Sequence, residues 1–275
     1  FSPLVGILLL NSILTYCIKN ASIYWLYSLV VLKYYDEIMV IAPTTEQSAV
    51  SHKINIANPI TLIEHEDIIK GVKTYSIDST PADCVKFAIH HFNYDFDIVF
   101  SGFNNGLNLG EDITYSGTVA AVTEAMFYGK RGVATSSERG NPQGFIDGFD
   151  LFMKEYLSKD IYTKYNCFNV NFPVNPKGIK YTYPGSNKYK YWFEPINKNT
   201  FIPKALPLFQ KEGKEDIYAR WAGRSVDEGE CRSQQSYKGS APWYQVGLCV
   251  ECKVLWISNL CCSGCANKDT LNGGK

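Results

Sequence analysis

A short apolar run, residues 96–100, leads straight into Ser101-Gly102-Phe103-Asn104-Asn105-Gly106-Leu107-Asn108-Leu109-Gly110-Glu111-Asp112. Behind it come Thr114-Tyr115-Ser116-Gly117-Thr118 and then Val119, Val122 and Met126 at helical spacings of three and four. The order is a buried strand, a loop rich in Gly and Asn, and a helix start. Glycines let main chain approach an anion closely, and a helix N-terminus offers N–H groups and the positive end of its dipole. Asn side chains add oxygen ligands for a hard metal and amide donors for phosphate oxygens. The pattern therefore reads as an anion site set on an α/β scaffold.

The rest of the chain alternates strand and helix. Strands are expected over residues 5–10, 37–42, 60–64, 72–77, 96–100, 132–136 and 167–172. A helix is expected over residues 22–32. Another starts at Thr80-Pro81-Ala82-Asp83, where a Thr N-cap precedes Pro at the first helical position and an acid in the first turn. Val85, Ala88, Ile89 and Phe92 make its apolar stripe, and Phe145, Phe149, Phe152, Met153 and Tyr156 stripe a later helix. This alternation predicts an α/β fold, Rossmann-like, with a mainly parallel sheet and helices on both faces. Ligands in such folds sit beyond the strand C-termini. The loops after residues 37–42 and 96–100 both emerge there.

Lys plus Arg and Asp plus Glu both number 27 in 275 residues, so no bulk charge draws the chain to a nucleic acid polymer or an acidic membrane. The apolar stretch 4–32 is interrupted by Asn11, Ser12, Lys19 and Asn20, which leaves no clean membrane span. A cytoplasmic protein is expected.

Five ordered segments carry a resemblance. They are Ile41-Ala42-Pro43-Thr44-Thr45-Glu46-Gln47-Ser48-Ala49, Ser79-Thr80-Pro81-Ala82-Asp83-Cys84-Val85, the Ser101–Asn108 motif, Gly110-Glu111-Asp112-Ile113-Thr114-Tyr115-Ser116-Gly117-Thr118-Val119, and Asn169-Val170-Asn171-Phe172-Pro173. Together, over about residues 36–187, they closely resemble the SurE family of survival-protein nucleotidases. The resemblance implies a metal-dependent phosphatase (a 5′-nucleotidase) acting on nucleoside 5′- and 3′-monophosphates with Mg²⁺ or Mn²⁺. It implies metal ligation by Ser48 and Asn104, and a phosphate pocket at Asn104, Asn108, Ser116, Gly117 and Thr118. It also implies a strand-rich C-terminal extension that joins copies into a homodimer or homotetramer. Residues 1–187 would form the nucleotidase domain, with 1–35 divergent, and residues 188–229 the extension.

Two departures stand out. The family opens with a strand ending in Thr-Asn-Asp-Asp-Gly, whose paired aspartates hold the metal and help to activate water. Here Ser12 and Ile13 stand where those carboxylates belong, and no acidic residue precedes Asp36. Two uncharged side chains do not replace two carboxylates around Mg²⁺ or Mn²⁺, so turnover is expected to suffer. A nucleotide-binding pseudoenzyme is the alternative. Residues 230–275 carry no family resemblance and hold six of the nine cysteines. Cys249-x-x-Cys252 and Cys262-x-x-Cys265 resemble zinc knuckles, so a zinc-stabilised interaction module stays open as a third reading. His52, Asp83 and Asp112 lie near the expected site, with capping the expected role of Asp83. Cys84 reads as a packed thiol.

Overall fold

The computed structural model describes residues 5–9, 31–158, 165–176, 178–182, 184, 189–207, 245–247 and 255–259, with backbone alone for 5–9, 245–247 and 255–259. In chain order the elements are β1 (Val5–Leu9), β2 (Glu37–Pro43), β3 (Leu62–Ile69), β4 (Val72–Ile77), α1 (Pro81–His90) and β5 (Ile98–Asn105). Next come α2 (Asp112–Tyr115), α3 (Gly117–Phe127), β6 (Arg131–Ser137), α4 (Gln143–Ser158) and β7 (Cys167–Phe172). The strands β8 (Ile179–Thr182), β9 (Tyr189–Asn197), β10 (Thr200–Pro207), β11 (Gln245–Gly247) and β12 (Leu255–Asn259) complete the series. Of the helix expected over residues 22–32, only Val31 and Leu32 fall within the described residues, and both are helical.

One sheet runs in the order β11-β8-β12-β7-β6-β5-β1-β2-β4-β3. The run from β7 through β6, β5, β1 and β2 to β4 is parallel throughout. Antiparallel β3 closes one edge, and β12 pairs antiparallel with β7 near the other. The α/β fold with a mainly parallel sheet is therefore as the alternation predicts.

Side-chain alternation explains the two-faced burial. On β2, Val40 and Ala42 join one apolar cluster, while Met39 and Ile41 join the other. On β5, Ile98 and Phe100 divide from Val99 in the same way. Helix α4 covers the first face with Phe145, Phe149, Phe152 and Tyr156, spaced four, three and four apart and all fully buried. Burial of each such ring is worth about 1.5–3 kcal/mol. Helices α1 and α3 cover the second face through Cys84, Val85, Ala88, Ala121 and Ala125. The small residues of α3 let it pack close to the sheet, which brings its N-terminus near the strand ends.

Three boundaries differ from the sequence reading. Strand β5 does not stop at Phe100 but continues to Asn105, with Asn104 and Asn105 paired to Ser136 and Ser137 after an irregularity at Ser101. Gly102 makes this possible: it has φ +131, and a Cβ there would meet the Thr135 carbonyl oxygen. Asn104 is thus a strand residue rather than a loop residue. Strand β3 starts at Leu62 and reaches Ile69, because it pairs with β4 as far as Val72. A one-turn helix, α2, precedes α3 where a loop was expected.

Beyond the parallel core, β8 adds to the main sheet while β9 and β10 form a separate antiparallel hairpin. Tyr191, Phe193, Ile196, Phe201 and Leu206 are exposed on it. Strands β11 and β12 belong to the main sheet. The cysteines of residues 230–275, on which the zinc reading rests, lie outside the described residues, as do Ser12 and Ile13.

Candidate active site

The loop after β2 turns through Ala49 and Ser51, both at positive φ, and returns to the body of the protein. The Ser51 N–H donates to the Tyr115 carbonyl at 3.0 Å. Asp83, expected to cap, instead sits in the first turn of α1 and ties the same loop down: its Oδ2 accepts from Ser79 Oγ, from Thr80 Oγ1 at 3.0 Å and from the Asn55 N–H at 2.9 Å. The Asp83 N–H in turn donates to Thr80 Oγ1, which makes Thr80 the N-cap. Farther along the loop, His52 Nε2 lies 2.7 Å from Glu124 Oε2 on α3. These contacts fix Gln47 and Ser48 against the N-terminus of α3.

Gly117 is where the loop and helix touch. A Cβ on it would lie 3.0 Å from Pro81 Cγ, 3.1 Å from the Gln47 carbonyl oxygen and 3.2 Å from Val50 Cγ2. The sequence reading gave Gly117 to close anion approach. The structure adds a packing reason, since the Ser48 loop needs the missing side chain's space. Ser116 is the N-cap of α3, with Oγ accepting from the Val119 N–H at 3.3 Å. Its hydroxyl is thus engaged in capping, and the main chain at Gly117 and Thr118 presents the positive end of the helix.

On the far wall, Asn104 donates from Nδ2 to the Gly106 carbonyl at 2.7 Å, which orients its amide. Asn108 is held by a buried polar lattice. Its N–H donates to Asn171 Oδ1 at 2.8 Å and its Nδ2 to Ser136 Oγ at 2.8 Å. Its carbonyl accepts from Asn169 Nδ2 at 2.9 Å and Asn171 Nδ2 at 3.0 Å. The Asn169-Val170-Asn171 motif is thereby explained. Phe168, Val170 and Phe172 face α4, while the alternate Asn169 and Asn171 pin the loop above the opposite face.

Ser48, Asn104, Asn108, Ser116, Gly117 and Thr118 all line one cavity of about 230 Å³ at the C-terminal edge of the parallel strands. Glu46, Asp112 and Arg139 are also on its wall; the sequence placed Asp112 near the site and gave Glu46 and Arg139 no role. Glu46 Oε1 accepts from Ser48 Oγ at 3.2 Å, and Asp112 Oδ2 accepts from Tyr189 at 2.9 Å. Asp112 carried a weak signal as an acid beside the Gly/Asn motif. Arg139, just past β6, carried none until the strand order put it at this edge. Among the described residues, no three His, Cys, Asp or Glu side chains converge as a metal site. The cavity's donors are instead hydroxyl, amide and carboxylate oxygens.

A model of the family described as Survival protein SurE matches residues 17–191, more than half of the chain. The chain belongs to the SurE family. The match begins after Ser12 and Ile13. Among its relatives, 5′-nucleotidase SurE of Clostridium beijerinckii is 32% identical over 203 residues, spanning 68% of this chain and 79% of the relative. The 5′-nucleotidase SurE of Caldanaerobacter subterraneus is 36% identical over 187 residues, spanning 65% and 70%. The crystal structure of SurE protein from Aquifex aeolicus matches the fold with a TM-score of 0.61 and 27% identity, over 78% of this chain and 88% of that one. Among the described residues, no helix is long and apolar enough to cross a membrane.

Proposed function

We propose that this SurE-family chain is a metal-dependent phosphomonoesterase that hydrolyses nucleoside 5′- and 3′-monophosphates. The observation that carries the reading is the single cavity in which the α3 N-terminus faces the oxygen donors of the β2 and β5 ends. The donor set suits a hard divalent ion such as Mg²⁺ or Mn²⁺, since Ser48, Glu46, Asn104 and Asp112 offer oxygen alone. Ser48 and Asn104 would hold the ion, with Glu46 and Asp112 supplying negative charge. When bound, it would polarise a phosphoryl oxygen and acidify a water. Gly117 and Thr118 receive the phosphate at the helix N-terminus. Asn108, locked by the Asn169–Asn171 lattice, holds the opposite wall at fixed position. Arg139 is exposed at the rim, where it attracts the dianion.

One observation favours a second reading, a nucleotide-binding chain with little turnover: Ser12 and Ile13 replace the family's aspartates. Phosphate release from AMP with added Mn²⁺ separates the two. The parent is expected to be slower than a relative bearing both aspartates by 10²-fold or more if those carboxylates supply about three kcal/mol. Ser12→Asp together with Ile13→Asp is expected to recover part of the rate. Robust parental activity refutes the dependence, and no gain in a folded double variant refutes the alignment.

The proposal extends to assembly and setting. The β9–β10 hairpin, at the start of the 188–229 extension, exposes Tyr191, Phe193, Ile196, Phe201 and Leu206 and is assigned to contact with a second copy, as a homodimer or homotetramer. Light scattering of the parent against Phe193→Glu tests it. A cytoplasmic setting accords with the buried free thiols of Cys84 and Cys167.

A further inference from the structure

A second cavity, of about 410 Å³, lies on the other side of Ser116, which lines both. Its walls are Ile113, Val119, Ala120 and Thr123, closed at one side by His52. The volume falls in the roughly 300–1,000 Å³ range of small-molecule sites. We infer that this cavity receives the nucleoside of the substrate while the phosphate occupies the cavity on the near side of Ser116. The inference rests on the function proposed above and names the part of the substrate that sets affinity.

His52 is built to be a flat wall. One face stacks on Phe127, with centroids 5.6 Å apart and planes within 4°. Its Nε2 is 2.7 Å from Glu124 Oε2, and Glu124 is itself buried and lies 3.9 Å from Lys86 Nζ. The ring is therefore fixed edge-on by a carboxylate and face-on by a second ring, yet about a third of the side chain remains exposed. An aromatic surface held in this way accepts a base by stacking at little entropic cost.

The threonine hydroxyls of the wall are already engaged. Thr114 Oγ1 donates to the Glu111 carbonyl at 2.7 Å, and Thr123 Oγ1 donates to the Val119 carbonyl at 3.0 Å. Both threonines thus spend their protons on the helices. What remains is mainly apolar surface and one ring, with the exposed Glu111 side chain as the one carboxylate on the lining. Discrimination among bases is then modest, because an apolar wall separates similar ligands by only about 1–3 kcal/mol.

Adenosine, which carries no phosphate, is the probe. Its binding to the full chain is measured by calorimetry, without metal, beside inorganic phosphate binding as a separate titration. The parent is expected to bind adenosine. His52→Ala is expected to weaken that binding about tenfold, and Ala120→Phe, which fills the cavity, to abolish it. Ala120→Phe should bind inorganic phosphate like the parent, and circular dichroism checks the fold of both variants. Adenosine binding that ignores both substitutions, or a parent that does not bind adenosine, overturns the inference. If Ala120→Phe fails to fold, His52→Ala decides alone. A parent that binds phosphate and releases it from AMP but ignores adenosine leaves the proposed activity standing and removes only the nucleoside cavity.

Discussion

Asn171→Ala tests whether the polar lattice behind the phosphate loop is a structural anchor. Asn171 is 2% exposed and bonds Asn108 from both ends of its amide, accepting at 2.8 Å and donating at 3.0 Å. Alanine removes both bonds and strands the buried Asn108 N–H, whose desolvation alone costs about 1–3 kcal/mol. The Asn108 carbonyl keeps a donor from Asn169. The expected loss is about 2–4 kcal/mol. Asn169→Ala is the control. It removes one bond to a carbonyl that Asn171 still serves, and it also removes Asn169 Oδ1, which meets no hydrogen-bond partner among the described residues. Its cost should be about 0.5–1 kcal/mol. Urea unfolding followed by tryptophan fluorescence measures both, with equal m-values required for the comparison. The double variant should cost more than the sum of the singles, since it alone leaves the Asn108 carbonyl without either donor. Equal costs for the two single variants, or less than about 1 kcal/mol for Asn171→Ala, would refute the anchoring argument.

Other outcomes follow from single contacts. Gly117→Val should weaken inorganic phosphate binding at least tenfold, because its side chain must displace Pro81, Gln47 or Val50; unchanged affinity by calorimetry contradicts this. Cys84 and Cys167 are both buried, and burial, with the Asp83 charge behind it, pushes the Cys84 thiol well up. Maleimide labelling read by peptide mapping should leave both unmodified until the chain unfolds. Asp95 is held below its ordinary value by Lys130, 2.7 Å away. A depressed carboxyl stabilises the fold above its unfolded value near 3.8, and the contribution is lost as pH falls through the folded one. The stability difference between the parent and Lys130→Met should therefore shrink in strong acid to what the Lys130–Phe96 contact leaves, and a difference that does not change with pH argues against the pair.

What could be read from the chain depended on the range of the signal. The Thr80 cap, the stripes at Val85–Ala88 and Phe145–Phe149–Phe152, and the strand before Ser101 are local patterns of period two or 3.6, and the structure follows them. The extent of β5 is not local. Asn104 and Asn105 stay in the sheet because Ser136 and Ser137 lie beside them, 32 residues on. Glu46 and Arg139 reach one cavity through the parallel strand order, which no short window contains. The His52–Glu124 pair spans 72 residues. From the sequence His52 was only a residue near the expected site, and the buried carboxylate across from it shows why its ring is fixed.

The parallel core also explains how anion binding and turnover can separate in this chain. β1 lies between β2 and β5, with Leu9 level with Ile41 on one side and Ser101 on the other. The chain thus leaves β1 at the edge from which the Ser48 loop and the Asn104 strand also emerge. The described contacts that hold the wall of the proposed site come from other elements. Gly117 and Thr118 are set by α3, the Ser48 loop is pinned through Asp83 and Ser51, and Asn108 is pinned through β6 and β7. Ser12 and Ile13, which the resemblance sets at the family's aspartate positions, make none of the contacts named here. On the proposed function, the missing acids take charge from the site while the contacts named here stay in place. The proposed function therefore predicts that Ser12→Asp with Ile13→Asp moves kcat far more than phosphate binding, and equal changes in both would refute it.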